Sequence, residues 1–294
     1  MRIAIYGSRR QHDSLAEVSA FLSDASRRGI ELTIHRKLFK HLREEMPAFM
    51  SGIACRVVDE LGDSVADYAV SLGGDGTFLR TAAWVGSRMI PIIGVNTGHL
   101  GYLAALDIAD LPLLPEVLGR ASETFRIEHR SLIEVECEAV REKGLWPYAL
   151  NEVAVMKEES ASMIVAETWI GDESLAEYRA DGLIVCTPTG STAYNLSVGG
   201  PLVDPELDVH VISPIACHSL AMRPLVVGSR RPLRILPGGR APFVRLAIDG
   251  RSVPVANGEE IVLRRAPFPT LVAQLRSRTF TDTLRHKLHW ADEA

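Results

Sequence analysis

Residues 73–77, Gly-Gly-Asp-Gly-Thr, carry the chemistry that this sequence indicates most directly. The apolar residues 66–72 predict a strand that runs into the glycines, and the pattern after them predicts a helix over residues 77–84. Glycine allows a positive φ and close approach of a ligand to the backbone, and the N–H groups of a helix N-terminus attract phosphate. The loop is therefore predicted to bind phosphate.

Asp75 gives this loop a reaction as well as a binding geometry. A carboxylate among phosphates is repelled unless it binds the accompanying magnesium ion or accepts a proton from an attacking hydroxyl group. Both roles indicate phosphoryl transfer. The alternative is a hairpin turn, for which Asp-Gly is common, but the residues that follow have a helical pattern. The dinucleotide fingerprint Gly-x-Gly-x-x-Gly does not follow the first strand, and the P-loop fingerprint does not occur, so a standard Rossmann dehydrogenase and a P-loop enzyme are disfavoured.

Two further segments are distinguished by their composition. Residues 96–102 form a second glycine-rich loop after the buried strand at 90–95. Residues 187–192 contain four hydroxyl side chains, which is more than a single helix cap uses, so we interpret them as ligand contacts rather than a capped turn.

The elements that must position these segments divide into two predicted domains. Residues 1–124 alternate short apolar strands with amphipathic helices, which predicts an α/β N-terminal domain with a Rossmann-like parallel sheet. Residues 109–120 are predicted to form one of its helices. Residues 125–270 are mostly strand-like and predict a β-rich C-terminal domain, with tight turns at 249–250 and 257–258. The tail, residues 271–294, is predicted to return to the first domain.

Composition excludes several classes of protein. The formal net charge of −5 gives no general attraction to nucleic acid. The longest apolar stretches fall far short of the ~20 residues that cross a bilayer, so no membrane partner is expected. The N-terminus resembles a first strand rather than a signal peptide, and the four cysteines lack a Cys-x-x-Cys pair. We therefore expect a cytoplasmic protein with reduced cysteines.

The order of the motifs resembles that of the bacterial NAD kinases, in the ATP-NAD kinase family. The resemblance runs from about residue 67 to 251 and rests on residues 73–78, 96–102, 151–152, 181–183 and 187–195. The Gly-Gly-Asp-Gly-Thr loop alone is shared with diacylglycerol-type lipid kinases and resembles that of phosphofructokinases. Residues 187–195, Thr-Pro-Thr-Gly-Ser-Thr-Ala-Tyr-Asn, are much more specific to the NAD kinases.

This resemblance implies transfer of the ATP γ-phosphoryl group to the 2′-hydroxyl of the adenosine ribose of NAD, which gives NADP. Asp75 would be the general base, and a divalent cation, Mg²⁺, would accompany ATP, with no protein ligands assigned to the metal. The resemblance also implies a homo-oligomer, commonly a tetramer.

The same resemblance implies a set of substrate and nucleotide contacts. These are Gly74, Gly76, Thr77, Arg80, Asn96, Tyr102, Asn151, Glu152, Ser162, Arg179, Asp181, Thr189, Thr192, Ala193, Tyr194, Asn195, Ser197, Asp249 and Arg251. Arg251 departs from the family pattern, which usually has glutamine there. Physically, Asn151 and Glu152 can hydrogen bond to ribose hydroxyls, and Tyr194 offers a flat face for a base.

Two alternatives stay open at the level of the sequence. A lipid kinase would use the same glycine loop without needing residues 187–195. A catalytically idle dinucleotide-binding regulator would keep Asp75 only to shape the turn. The sequence also leaves open ATP against polyphosphate as donor and NAD against NADH as acceptor.

Overall fold

The structure is a computed structural model of the 294-residue chain, and it describes residues 1–7, 14–62, 66–98, 101–158 and 163–288. The chain divides into two compact units, of which one is Met1–His129 with Thr270–Ala294 and the other is Arg130–Pro269. Among the described residues, no helix combines the length and the apolar character needed to cross a membrane.

The first unit is built on a largely parallel sheet. Its strands are β1 (Arg2–Gly7), β2 (Glu31–His35), β3 (Arg56–Val58), β4 (Tyr68–Leu72), β5 (Ile92–Asn96), β6 (Leu106–Asp107), β7 (Phe125–Arg130) and β20 (Thr270–Leu275). Its α-helices are α1 (Leu15–Arg27), α2 (Arg36–Glu45), α3 (Pro47–Ser51), α4 (Asp75–Val85), α5 (Leu114–Val117), α6 (Ala121–Thr124) and α9 (Phe280–Leu288). The strand order is β3-β2-β1-β4-β5-β20-β7, and β6 pairs with β5.

Hydrophobic periodicity explains the helices of this unit where proline does not interrupt them. In α1, Val18, Phe21, Leu22 and Ala25 share the face that packs into the core, at helical spacing. The single helix predicted for residues 109–120 is wrong, since the structure has short 3₁₀ and α segments there. Pro112 lies inside the first 3₁₀ segment, and proline removes a backbone donor and favours a helix start over a helix interior.

The strand order brings the two glycine loops to the same edge of the sheet. β1 pairs in parallel with both β2 and β4, so the chain reverses its direction of progress at β1, and ligands of such sheets bind beyond the carboxyl ends of the strands near this point. β4 and β5 are parallel neighbours, with Leu72 opposite Val95. The loops that follow these strands therefore start side by side, and Gly73 N–H donates to the Val95 carbonyl oxygen (3.0 Å).

In its described residues, the second unit consists of antiparallel strands, two short α-helices and a 3₁₀ helix at Thr189–Thr192. Its strands are β8 (Ile133–Glu136), β9 (Tyr148–Ala149), β10 (Glu152–Lys157), β11 (Ile164–Ile170), β12 (Glu173–Ala180), β13 (Gly182–Cys186), β14 (Val209–Ile215), β15 (Leu225–Gly228), β16 (Leu233–Gly239), β17 (Phe243–Ile248), β18 (Arg251–Ala256) and β19 (Ile261–Arg265). Its α-helices are α7 (Glu138–Glu142) and α8 (Tyr194–Ser197). The described residues form two sheets, β15-β14-β13-β10-β17-β18 and β12-β11-β16-β19-β8-β9, which share one main apolar core, and a smaller apolar cluster lies at β10, β13 and β14.

The two predicted turns of this unit have different outcomes. Asp249 and Gly250 have positive φ values of 46° and 78° and join the paired strands β17 and β18, as predicted for a hairpin. The turn at 257–258 does not close a hairpin, because β18 pairs with β17 whereas β19 pairs with β16 and β8 in the other sheet.

The limits of the two units differ slightly from the expected domain limits. β7 lies beside β20 in the sheet of the first unit, so that unit extends to His129 rather than ending at residue 124. Residues 270–275, as β20, lie next to β5, with Val272 opposite Ile92. The predicted fold class, an α/β domain followed in sequence by a β-rich one, is confirmed.

Candidate functional site

The glycine loop turns sharply into α4, which begins at Asp75 rather than at Thr77 as predicted. Gly73 has φ +147°, and a Cβ atom there would lie 2.5 Å from Thr77 Oγ1, so the tight turn requires glycine. Gly74 occupies the N-cap position, and Thr77 N–H donates to its carbonyl oxygen (2.8 Å). Asp75 therefore lies in the first turn of a helix, where unpaired N–H groups can attract an anion.

The Asp75 carboxylate is held by the second glycine loop. Tyr102 N–H donates to Asp75 Oδ2 (2.7 Å), and Leu103 N–H donates to Oδ1 (3.1 Å). A Cβ atom on Gly101 would lie 2.1 Å from Asp75 Oδ1, so only glycine leaves room for the carboxylate against this loop. The two loops that the sequence singled out thus meet at Asp75.

The neighbouring predicted contacts in this unit shape the two loops. Arg80 Nη2 donates to Thr77 Oγ1 (3.1 Å), one turn along α4. The buried Asn96 side chain donates to the Gly98 carbonyl oxygen (3.0 Å) and accepts from Gly98 N–H (3.2 Å), so it fixes the start of the second loop. Gly76 is exposed beside them.

In the second unit, Asp249 is committed to the backbone. Its carboxylate accepts from the N–H groups of Leu150 (2.7 Å), Asn151 (2.9 Å) and Glu152 (3.2 Å). Burial raises its pKa, although these three hydrogen bonds and the nearby Arg251 act in the opposite direction. Asp249 therefore holds residues 150–152 in place, and this role was not evident from the sequence.

Glu152, by contrast, has unused hydrogen-bonding capacity. Burial, and then the charge of Asp249, raise its pKa to about 7, while a hydrogen bond from Tyr194 N–H lowers it. Its Oε2 atom is buried and has no hydrogen-bond partner among the described residues. Asn151, the preceding residue, is buried as well. An acceptor in this state is suited to a ligand hydroxyl group.

Arg251, at the position where the resemblance leads us to expect glutamine, is held by a hydrogen bond to the backbone. Its Nη2 donates to the Tyr148 carbonyl oxygen (2.7 Å), and its Nε has no partner within the described part of the chain. Burial lowers its pKa, and Asp249 raises it. The side chain thus lies in the same cluster as Asp249 and Glu152.

The hydroxyl-rich segment does not present its hydroxyls as the sequence suggested. Thr187 Oγ1 donates to the Leu150 carbonyl oxygen (2.5 Å), Ser191 Oγ donates to that of Val203 (3.3 Å), and Thr192 Oγ1 donates to that of Thr189 (3.3 Å). Thr189 Oγ1 accepts from Arg130 Nη1 (3.2 Å). Internal hydrogen bonds employ all four hydroxyls, so their number alone does not support ligand contact.

Asn195 is likewise bonded inside the unit. Its Nδ2 donates to the carbonyl oxygens of Ser191 (3.2 Å) and Pro201 (3.0 Å), and its Oδ1 accepts from Ser213 Oγ (2.7 Å). Its neighbours on α8 are more open, since Tyr194 is 39% exposed and Ser197 is exposed. Ala193, before α8, is partly buried. Tyr194 can therefore offer its ring to a ligand, whereas Asn195 supports the segment.

Arg179 and Asp181 lie near the edge of the same unit in surface ion pairs. Arg179 Nε contacts Glu177 Oε1 (2.7 Å), and Asp181 Oδ1 contacts Lys157 Nζ (2.9 Å). Ser162 lies outside the described residues. No group of three metal-ligating side chains occurs among the described residues.

One charged group near Asp75 was not singled out from the sequence. Lys287 on α9 places its Nζ 4.9 Å from the ring centroid of Tyr102. Nothing local connects residue 287 with residues 75 or 102, and only the return of the C-terminal segment to the first unit brings them together.

Family models match both parts of the chain. The ATP-NAD kinase N-terminal domain matches residues 9–119, and the ATP-NAD kinase C-terminal domain matches residues 150–275. A curated NAD kinase of Porphyromonas gingivalis is 42% identical over 291 residues, which cover 98% of each chain. The chain belongs to the NAD kinase family.

Further relatives and structures agree with this assignment. The NAD kinase of Bacteroides fragilis is 35% identical over 297 residues, covering 100% of this chain and 99% of its own. The crystal structure of yeast NADH kinase complexed with NADH superposes with a TM-score of 0.85 at 21% identity, covering 100% of this chain and 89% of that one. The crystal structure of an NAD kinase from Archaeoglobus fulgidus in complex with ATP superposes with a TM-score of 0.71 at 24% identity, covering 98% of each chain. The two structures support the fold.

The predicted family and class of enzyme, an ATP-dependent phosphotransferase, are confirmed by these matches. The relatives and structures named above are NAD or NADH kinases, so neither the lipid kinase nor the idle regulator gains support from them.

Proposed function

We propose that this protein transfers the γ-phosphoryl group of ATP to the 2′-hydroxyl of the adenosine ribose of NAD, with Asp75 as the general base. The observation that carries the proposal is the position of Asp75 in the first turn of α4, beside glycine backbone and aligned by two N–H groups of the second loop. This position suits a group that takes up a proton next to bound phosphates.

The reaction follows from these roles. The 2′-oxygen attacks the γ-phosphorus while its proton passes to an Asp75 oxygen. A new P–O bond forms, the bond between the γ-phosphorus and the β,γ-bridging oxygen breaks, and its electron pair leaves with ADP. A positioned base contributes about 10²- to 10⁴-fold, so most of the acceleration must come from alignment and from neutralising the charge of the phosphates.

The acceptor contacts that we propose lie in the second unit. Glu152 accepts a hydrogen bond from a ribose hydroxyl through the oxygen that lacks a partner, with Asn151 beside it. Tyr194 supplies a face for the adenine ring, and its N–H group orients Glu152. Asp249 and Asn195 act indirectly, because they hold the backbone of residues 150–152 and 191–201.

In this proposal a divalent cation accompanies ATP. Mg²⁺ keeps several waters and typically binds one or two carboxylates together with substrate phosphates. Among the described residues no cluster of three ligating side chains occurs. Such an ion would neutralise charge on the phosphates.

A homo-oligomer stays part of the proposal. The edge strand β15 leaves Leu225 and Val226 38% and 45% exposed, and Leu220 before it is 91% exposed. Open apolar edges of this kind are commonly covered in assemblies. The proposed homo-oligomer would be contradicted if light scattering found only a monomer at micromolar concentration. The cytoplasmic location stays a prediction.

A single assay tests the proposed function. Purified protein is incubated with NAD or NADH and with Mg²⁺-ATP or polyphosphate, and the dinucleotide products are separated by chromatography. We expect NADP from NAD and ATP, with one ADP released for each NADP. ADP release without any phosphorylated dinucleotide would overturn the proposal.

A further inference from the structure

The C-terminal segment of the first unit supports the loop that binds Asp75. On β20, Gln274 Nε2 donates to the Leu103 carbonyl oxygen (3.4 Å). Beyond the strand, Arg278 Nη1 approaches the Ala104 carbonyl oxygen (3.5 Å). The loop is therefore contacted both by Asp75, through its N–H groups, and by residues from the C-terminal end of the chain, through its carbonyl groups.

Lys287, on α9, contacts a side chain of the same loop, that of Tyr102. Its Nζ lies 4.9 Å from the Tyr102 ring centroid, a cation–π distance. The same Tyr102 donates its N–H group to Asp75 Oδ2 at 2.7 Å. A cation is thus brought within the neighbourhood of the predicted base.

Lys287 makes no hydrogen bond within the described part of the chain. An ammonium group has three donors, yet Nζ is buried and has no hydrogen-bond acceptor among the described residues. Contact with the Tyr102 ring compensates only partly for the loss of water. Lys287 Nζ is hydrogen bonded to neither oxygen of Asp75. Within the described residues, its donors are therefore available to an additional acceptor.

The charges around Lys287 favour an anionic acceptor. Burial lowers its pKa to about 8, with Arg278 acting in the same direction and with Asp75 and Asp107 acting against it. Tyr102, on which it lies, has a raised pKa through burial and the charge of Asp75, so this ring is neutral. At neutral pH the lysine is mostly charged, and a phosphate oxygen would satisfy both its charge and its donors.

We propose that Lys287 is a further substrate-binding residue, which donates a hydrogen bond to an anionic phosphate oxygen of ATP beside Asp75. This inference rests on the proposed function and extends it by naming a cation that binds the donor. During transfer, the ammonium group offsets negative charge on the phosphates next to the carboxylate that takes up the proton. Repulsion between Asp75 and the phosphates is reduced in this way.

The test compares three substitutions on α9. Lys287→Met removes the charge and keeps most of the apolar stem, whereas Lys287→Arg keeps the charge and the donors. Arg285→Met is the matched control, because its side chain is 69% exposed and its acidic contact is Asp282 at 4.0 Å. Steady-state kinetics with ATP and NAD varied separately, binding of a non-hydrolysable ATP analogue by calorimetry, and thermal melting are measured for each variant.

We expect Lys287→Met to lower kcat/KM for ATP and the affinity for the ATP analogue by roughly 10- to 100-fold, the usual effect of one charge-assisted hydrogen bond. The KM for NAD should stay as in the unsubstituted protein, and the melting temperature should not fall, because the substitution removes a buried charge that has no hydrogen-bond acceptor among the described residues. Lys287→Arg should keep most of the affinity for ATP. Arg285→Met should change neither the kinetics with ATP nor those with NAD.

Three results would overturn the inference. The first is ordinary ATP kinetics in Lys287→Met. The second is a loss confined to NAD, which would assign Lys287 to the acceptor. The third is an equal loss for both substrates with a lower melting temperature and no rescue by arginine, which would leave only a structural role. The failure of the proposed function itself is recognised separately, because the unsubstituted protein would then form no NADP.

Discussion

Asp75 in the first unit and Asp249 in the second are both motif carboxylates that accept backbone N–H groups, yet they do different work. Asp75 accepts from two residues of a different loop and lies at the first turn of a helix, where an anion can approach. Asp249 accepts from three consecutive residues on the neighbouring segment, and burial raises its pKa. The two carboxylates thus differ in the number and origin of their donors, and we propose that Asp75 is the base whereas Asp249 holds a backbone segment.

Of the substitutions that distinguish the two carboxylates, Gly101→Ala should cause the largest loss of turnover, because it displaces Asp75. The new Cβ atom would lie 2.1 Å from Asp75 Oδ1 and displace the carboxylate, which is a flexible group, while the fold is kept. We expect a loss of turnover of about 10²-fold or more, close to removal of the base itself.

Gly98→Ala is the control from the same loop, since a Cβ atom there would meet nothing within 4 Å. Initial rates and melting curves of both variants decide the matter. Equal rates for the two variants would show that the alignment of Asp75 by this loop is unimportant.

Asp249→Asn should act mainly on stability. The amide keeps the shape and tolerates the φ of 46° at this residue, but it replaces an acceptor by a donor that faces N–H groups. A buried donor without a partner costs about 1–3 kcal/mol. Urea unfolding should show a loss of this size in the free energy of unfolding. If the free energy of unfolding is unchanged while turnover is lost, Asp249 takes part in the reaction, as we propose for Asp75, and its role is not structural.

Tyr194→Ala should weaken NAD and spare ATP. Stacking of a base on an aromatic ring is worth about 1–3 kcal/mol, so the NAD affinity should fall by roughly 5- to 160-fold. Tyr194→Phe keeps the ring and serves as the control. Calorimetric titrations with each substrate measure the effect, and a matching loss of ATP affinity would argue against the acceptor assignment.

The smallest expected effect is the pH dependence that Glu152 adds. Its pKa is about 7 in the folded protein, so the group is protonated below this value and ionised above it. A ribose hydroxyl donates more strongly to the ionised form, and NAD should therefore bind more tightly as pH rises from about 6 to about 8, by about tenfold at most over this range.

The same raised pKa works against stability as the pH rises. The folded state holds the proton of Glu152 more tightly than the unfolded state does. The contribution of this group to the free energy of unfolding is therefore present at low pH and is lost as the pH rises through the pKa of the folded state. Glu152→Gln should abolish both trends. A pH profile of NAD affinity that is identical in the wild-type protein and this variant would remove Glu152 from the acceptor site.

Local sequence predicted the elements and motifs well. Periodicity identified the strand before Gly73 and the helix after it, and Asp249-Gly250 identified a hairpin, because these depend on neighbouring residues. Prolines at 112 and 115 broke a helix that periodicity alone had favoured.

The polar partners could not be read in the same way. The four hydroxyls of residues 187–192 bond to atoms as distant in sequence as Leu150 and Val203. Lys287 reaches Tyr102 only because β20 joins the sheet of the first unit. Whether a side chain is free for a ligand depends on such long-range contacts, which no spacing rule contains.

The most direct test of the general-base assignment is a single-turnover comparison of Asp75→Asn with the wild-type protein, at saturating NAD and Mg²⁺-ATP. We predict that formation of NADP slows by about 10²- to 10⁴-fold while the dissociation constant for NAD is kept. A rate of phosphoryl transfer close to that of the wild-type protein would contradict this assignment.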